Sequence, residues 1–119
     1  AASIGTAFLR CPEARTHAAW AHALDNLEPE GSTPRRALTG RLARGVATDY
    51  VRAAAAPEAP RPAPYPVQRG LTAAMKAAGA AAIDPHRMQL WPGQSAAMAR
   101  PITAGDLVRE MWDEARGLL

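Results

Sequence analysis

Cysteine, aromatic side chains and long apolar runs are all scarce in this chain of 119 residues. Cys11 is its one cysteine, so no intrachain disulfide forms and no cysteine-based metal site is available. That usage leads us to expect a reducing, cytoplasmic setting. No uninterrupted apolar run is long enough to span a bilayer, and the first residues lack the charged and apolar regions of a signal peptide, so no membrane association is expected. One Phe, two Tyr and three Trp leave much of the 48% hydrophobic content to alanine, which predicts a thin core. A large excess of one charge is also missing. Thirteen arginines and one lysine face 11 carboxylates for a net charge of +3, and only Arg35 and Arg36 are adjacent, a spread unlike the basic stripe of a nucleic-acid binder. At this length the chain is one domain at most, able to bury roughly 65% of its unfolded surface if self-contained.

What is present begins with Ala1 to Leu9, apolar enough for a short buried strand and carrying Gly5-Thr6. Glycine lets a backbone approach a phosphate closely, and threonine adds a hydroxyl. In parallel α/β barrels such loops commonly hold a cofactor phosphate, although an ordinary tight turn has the same composition. Pro12 and Glu13 suit a first helical turn, and Ala14, Ala18, Ala21 and Leu24 extend the pattern, predicting a helix over about 12–27. Pro29, Gly31 and Pro34 break it. Leu38 to Gly45 reads as a short extended piece with a turn, and a helix over about 46–56 follows. Pro57, Pro60, Pro62, Pro64 and Pro66 then form a stiff connector that excludes helix and central strand. A third helix, 67–82, is expected to bury Val67, Leu71, Ala74, Met75, Ala78 and Ala82. The last starts at Thr103, with Asp106 at capping-box spacing and Leu107, Val108, Met111, Ala115 and Leu118 toward the core. The inventory is mainly α. A lone parallel strand is stable only inside a covered sheet, so the chain is expected to begin within a fold whose remainder lies upstream.

Four blocks carry a resemblance. Ile4-Gly5-Thr6-Ala7-Phe8-Leu9 with Cys11-Pro12-Glu13-Ala14, then Thr39-Gly40-Arg41-Leu42-Ala43-Arg44-Gly45, then Pro64-Tyr65-Pro66-Val67-Gln68, then Leu90-Trp91-Pro92-Gly93-Gln94, resemble in order and spacing the C-terminal third of nitronate monooxygenases. The resemblance implies an α/β TIM-barrel flavoprotein that binds FMN and oxidises small-molecule alkyl nitronates with O2. It implies residues 1–28 as the last barrel strand, phosphate loop and following helix, 29–95 as a helical lid containing the connector 57–66, and 96–119 as the closing helix. Ser3, Ile4, Gly5 and Thr6 then fall on the loop that binds the FMN phosphate, Ser3 standing where the family most often has Gln. Trp91, Gly93 and Gln94 fall on a tetrad that lines the flavin or substrate pocket or packs the lid onto the barrel, with Pro92 departing from the family's Ala. Arg41 and Arg44 flank a turn, where arginines more often hold carbonyls and carboxylates than a ligand. The family's catalytic His has no counterpart here. His17 and His22 lie on an alanine-rich helix and His86 in a turn, so no catalytic residue is assigned. An FMN barrel of enoyl reductase type, acting on acyl carrier protein, and a free-standing helical interaction module are the alternatives.

Overall fold

The structure, a computed structural model, describes residues 2–29 and 31–119. Its helices are α1 (Ala18–Asp25), α2 (Asp49–Ala53), α3 (Val67–Leu71), α4 (Ala73–Ala81) and α5 (Ala104–Gly117). Between α1 and α2 runs an antiparallel hairpin of β1 (Ser32–Arg35) and β2 (Ala43–Val46), in which Ser32 faces Val46 and Arg35 faces Ala43. Short 3-10 turns occupy Thr6–Arg10, Pro12–Ala14, Pro85–Arg87 and Ala96–Met98. Helix predominates, with a sheet of two strands among the described residues.

The strand expected over Ala1 to Leu9 does not form. Residues 2–5 have no regular structure and Thr6–Arg10 is a 3-10 helix, while Ala1 lies outside the described residues. An apolar run becomes a strand only beside a partner, and the two strands among the described residues pair with each other. The helix expected over 12–27 is also interrupted. Arg15 turns left-handed at φ 47° after Pro12–Ala14, and α1 starts afresh at Ala18, where the His17 ring accepts from the Ala19 amide at 3.3 Å. Val46 is taken up by β2, so the helix expected from 46 begins only at Asp49. The proline segment 57–66 contains neither helix nor strand, as expected.

The third helix is split, and its buried face is the opposite of the one expected. Thr72 separates α3 from α4, its hydroxyl lying 2.8 Å from the Leu38 carbonyl and 3.2 Å from that of Gln68. Val67 and Leu71 are 54% and 71% exposed, whereas Gln68, Thr72 and Gly79 are buried. Gln68 donates to the Ala37 carbonyl at 2.6 Å and accepts from the Ala63 amide at 3.0 Å. Two polar side chains thus bind the carbonyls of the turn after β1, which decides the orientation of both helices. Gly40 completes this crossing. Its φ is +85°, and a Cβ there would lie 2.4 Å from the Ala63 carbonyl oxygen.

The core mixes alanines with a few larger side chains. Ala19, Met88 and Leu90 form its cluster, with Trp20, Ala23, Val46 and Ala80 packed against it. Residue 90 runs beside β2: the Val46 amide donates to the Leu90 carbonyl at 3.2 Å, and a Cβ on Gly45 would meet that oxygen at 2.5 Å. On α5 the cap is as expected, the Thr103 hydroxyl accepting from the Asp106 amide at 3.1 Å. Its buried side is not: only Leu107 is buried and Met111 half-buried, while Val108, Ala115 and Leu118 are exposed.

Candidate functional site

Three tethers bring the first fourteen residues back to the last third of the chain. The Gly93 amide donates to Thr6 Oγ1 at 2.9 Å, Arg10 Nη1 donates to the Ala99 carbonyl at 2.8 Å, and Glu13 Oε1 accepts from the Ala104 amide at 3.0 Å. The last of these satisfies an amide at the start of α5, which has no partner within its own helix. A cavity of about 860 Å³ lies between the joined segments. Ser3, Ile4, Gly5 and Thr6 form one wall, and Gly93 and Gln94 another. Leu107 and Met111 add apolar surface, with Arg100 and Glu114 also lining it.

The sequence-derived candidates therefore meet at one place, save for Trp91. That residue is half-buried outside the cavity, with its ring edge 3.8 Å from where a Cβ on Gly45 would stand. Its contact joins the Leu90-Gln94 block to β2. Gly5 has an ordinary φ of -108°, and a Cβ built on it would meet no atom within 4 Å. The chain's own backbone does not require glycine there, and the open space above it is available to a ligand. Gly93 is closer: a Cβ on it would come within 3.3 Å of Thr6 Oγ1.

Support for this wall comes from residues that sequence reasoning gave no ligand role. Ser32, buried in β1, donates to the Gly93 carbonyl at 3.4 Å, and Arg44 Nη1 donates to the Ser32 carbonyl at 2.8 Å. Arg44 thus holds a carbonyl, and Arg41 lies over the Tyr65 ring at 4.3 Å from its centroid. Nothing in composition or spacing marks Ser32, since the contact joins positions 61 residues apart. Beside it, Arg35 donates to the Gly45 carbonyl at 2.5 Å, and burial, reinforced by Arg52 and Arg44, pushes its guanidinium pKa down.

None of the three histidines lines this cavity. His17 caps α1, and His86 Nδ1 faces Asp49 Oδ2 at 3.1 Å. His22 and His86 border a separate cavity of about 660 Å³. Cys11 is buried, and burial, then Glu13, pushes its thiol pKa up, so it is not an activated nucleophile. No group of three or more metal-ligating side chains occurs among the described residues, and no helix described is long and apolar enough to cross a membrane.

The class follows from fold similarity. The solved structure of a nitroalkane oxidase from Streptomyces ansochromogenes superposes with a TM-score of 0.80 at 38% identity, over 92% of this chain and 30% of that one. A model of the nitronate monooxygenase family matches residues 1–114. Relatives named nitronate monooxygenase are 36% identical in Paraburkholderia phytofirmans and 35% in Pseudomonas aeruginosa, each match covering 98% of this chain. The chain belongs to the nitronate monooxygenase family, an enzyme family. It spans about a third of the length of these relatives, 32% and 33% respectively.

Proposed function

We propose that these residues form the C-terminal part of an FMN-dependent nitronate monooxygenase, a TIM-barrel flavoenzyme oxidising alkyl nitronates with O2 to a carbonyl compound and nitrite in the cytoplasm. The observation that carries the reading is the meeting of Ser3-Ile4-Gly5-Thr6 with Gly93-Gln94 around one cavity, sealed by the bond from the Gly93 amide to Thr6 Oγ1. The residues fit a phosphate group. Open space above Gly5 admits it, and a hydroxyl that already accepts from an amide has its proton left to donate. Ser3, Ile4, Gly5 and Thr6 would hold the phosphate by amides and hydroxyls, while Gly93 and Gln94 wall the pocket and Trp91 fixes their loop on β2. FMN, when bound, supplies the electron acceptor for the nitronate and the means of reducing dioxygen. The segment's own contribution is to anchor, orient and limit water access. None of the histidines here borders the cavity, so no catalytic role is assigned to them.

The test is made on the complete polypeptide, including any sequence that precedes residue 1. FMN absorbance and fluorescence are recorded, then nitrite release from propionate 3-nitronate under air. Flavin together with nitrite supports the proposal. Flavin with nicotinamide oxidation and no nitrite moves the assignment to a reductase on the same type of barrel, and no flavin overturns it in favour of an interaction module.

A further inference from the structure

Both peptide groups of Gly93 are held. Its N–H donates to Thr6 Oγ1 at 2.9 Å, and its carbonyl accepts from Ser32 Oγ at 3.4 Å. Ser32 is itself fixed in the hairpin, 5% exposed, with its carbonyl accepting from Arg44 at 2.8 Å. Pro92, fully buried just ahead, has a ring-locked φ, which removes one backbone rotation next to the Gly93 N–H. The consequence falls on one hydroxyl. Thr6 Oγ1 has one proton and two lone pairs, and with the Gly93 amide on a lone pair the proton is left for another acceptor. No bond from the Thr6 hydroxyl to a carbonyl or carboxylate is formed among the described residues, and the residue borders the cavity.

We propose that Ser32 is a positioning residue for the phosphate end of the ligand: by holding the Gly93 carbonyl it keeps Gly93 in place, so that the neighbouring Gly93 N–H locks the Thr6 hydroxyl as a donor into the cavity. This rests on the reading of the cavity as a phosphate site. A doubly ionised phosphate monoester carries only acceptors on its terminal oxygens, so a hydroxyl held as donor matches it. A free-spinning hydroxyl spends part of its time in the wrong sense. The hairpin thereby affects binding from a residue that does not line the cavity.

The test compares two flavins on the complete polypeptide, FMN and riboflavin, which share the ring and differ by the phosphate. Dissociation constants are read from quenching of flavin fluorescence in the unmodified protein, Ser32→Ala, Ser32→Thr and Thr6→Val. We expect Ser32→Ala to weaken FMN about 5- to 10-fold, the worth of one modest hydrogen bond, with riboflavin unchanged and Ser32→Thr close to the unmodified protein. Adding Ser32→Ala to Thr6→Val should cost nothing further for FMN, since the hydroxyl it orients is already gone. If Ser32→Ala does not fold, Arg44→Lys, which withdraws the guanidinium from both the carbonyl and the hydroxyl of Ser32 while the Ser32 side chain remains, is compared in the same way. Equal weakening of both flavins, or of neither, overturns the positioning role while the flavin reading stands. No flavin bound by the unmodified protein overturns the functional reading and this inference together.

Discussion

Among the glycines, Gly40 is the one where an added Cβ would come closest to other atoms, 2.4 Å from the Ala63 carbonyl, 2.6 Å from the Tyr65 amide and 2.8 Å from the Pro64 carbonyl carbon. All three are backbone atoms, so relief requires moving the chain, and the φ of +85° adds strain for any side chain. Gly40→Ala is expected to lower stability by about 3 kcal/mol or more, read as a shift in urea midpoint. Gly70 is the contrast, since a Cβ there meets nothing within 4 Å and the residue lies inside α3. Gly70→Ala should stabilise by up to about 1 kcal/mol through helix propensity. Cys11 gives a third expectation at this scale. Its burial and raised pKa predict slow reaction with a thiol reagent at neutral pH and full reaction in denaturant. Fast reaction without denaturant would mean that the Cys11 region opens readily.

Among the elements, α5 is the one whose start depends on acidity. The Thr103 hydroxyl, then Arg109, hold the Asp106 carboxyl below the usual carboxylate range. A depressed folded-state pKa means that the contribution is present above the unfolded value, near 4, and is lost as pH falls through the folded one. The first turn of α5 is therefore expected to fray on acidification below about pH 4, seen as faster amide exchange at Asp106 and Leu107. Thr103→Ala should abolish most of that pH dependence. This cap was legible in the sequence because it is local, a Thr and an Asp three residues apart. So were the proline connector and the existence of helices around 18–25, 49–53 and 67–81. The face of α3 and α4 was not. Apolar periodicity placed Val67 and Leu71 inward, but the Ala37 and Leu38 carbonyls of a distant turn needed donors, and Gln68 and Thr72 supply them. The N-terminal segment was misread for a related reason, since apolar composition cannot report whether a partner strand is there. At the cavity, Gly5, Thr6, Gly93 and Gln94 were legible through resemblance of their motifs, whereas Ser32 was not, because its meaning lies in a contact with Gly93 across 61 residues.

For the whole molecule, surface is the telling quantity. A compact monomer of this mass exposes about 6,200 Å², and this chain exposes 7932 Å². Its radius of gyration of 16.0 Å likewise exceeds the value of about 13.5 Å for a compact domain of this length. The excess of roughly 1,700 Å² is about twice the roughly 800 Å² that one partner contributes to a standard recognition interface, and exposed Trp112, Val108 and Met98 contribute apolar area to it. Taken alone, the 119 residues are expected to melt over a broad temperature range and to bind an apolar dye such as ANS. A sharp calorimetric transition without dye binding would show the chain to be self-sufficient.

The crossing of residues 37–40 over 63–72 works as a stitch, because Gln68 and Thr72 bind its two carbonyls from the far side of the proline segment. Glu58 lies exposed between the stitched parts. A single cut after Glu58 would then yield two polypeptides that stay clasped and migrate as one particle under native conditions. The same bond is a natural opening for a permuted chain, whose new termini would hang outside the clasp rather than pull it apart.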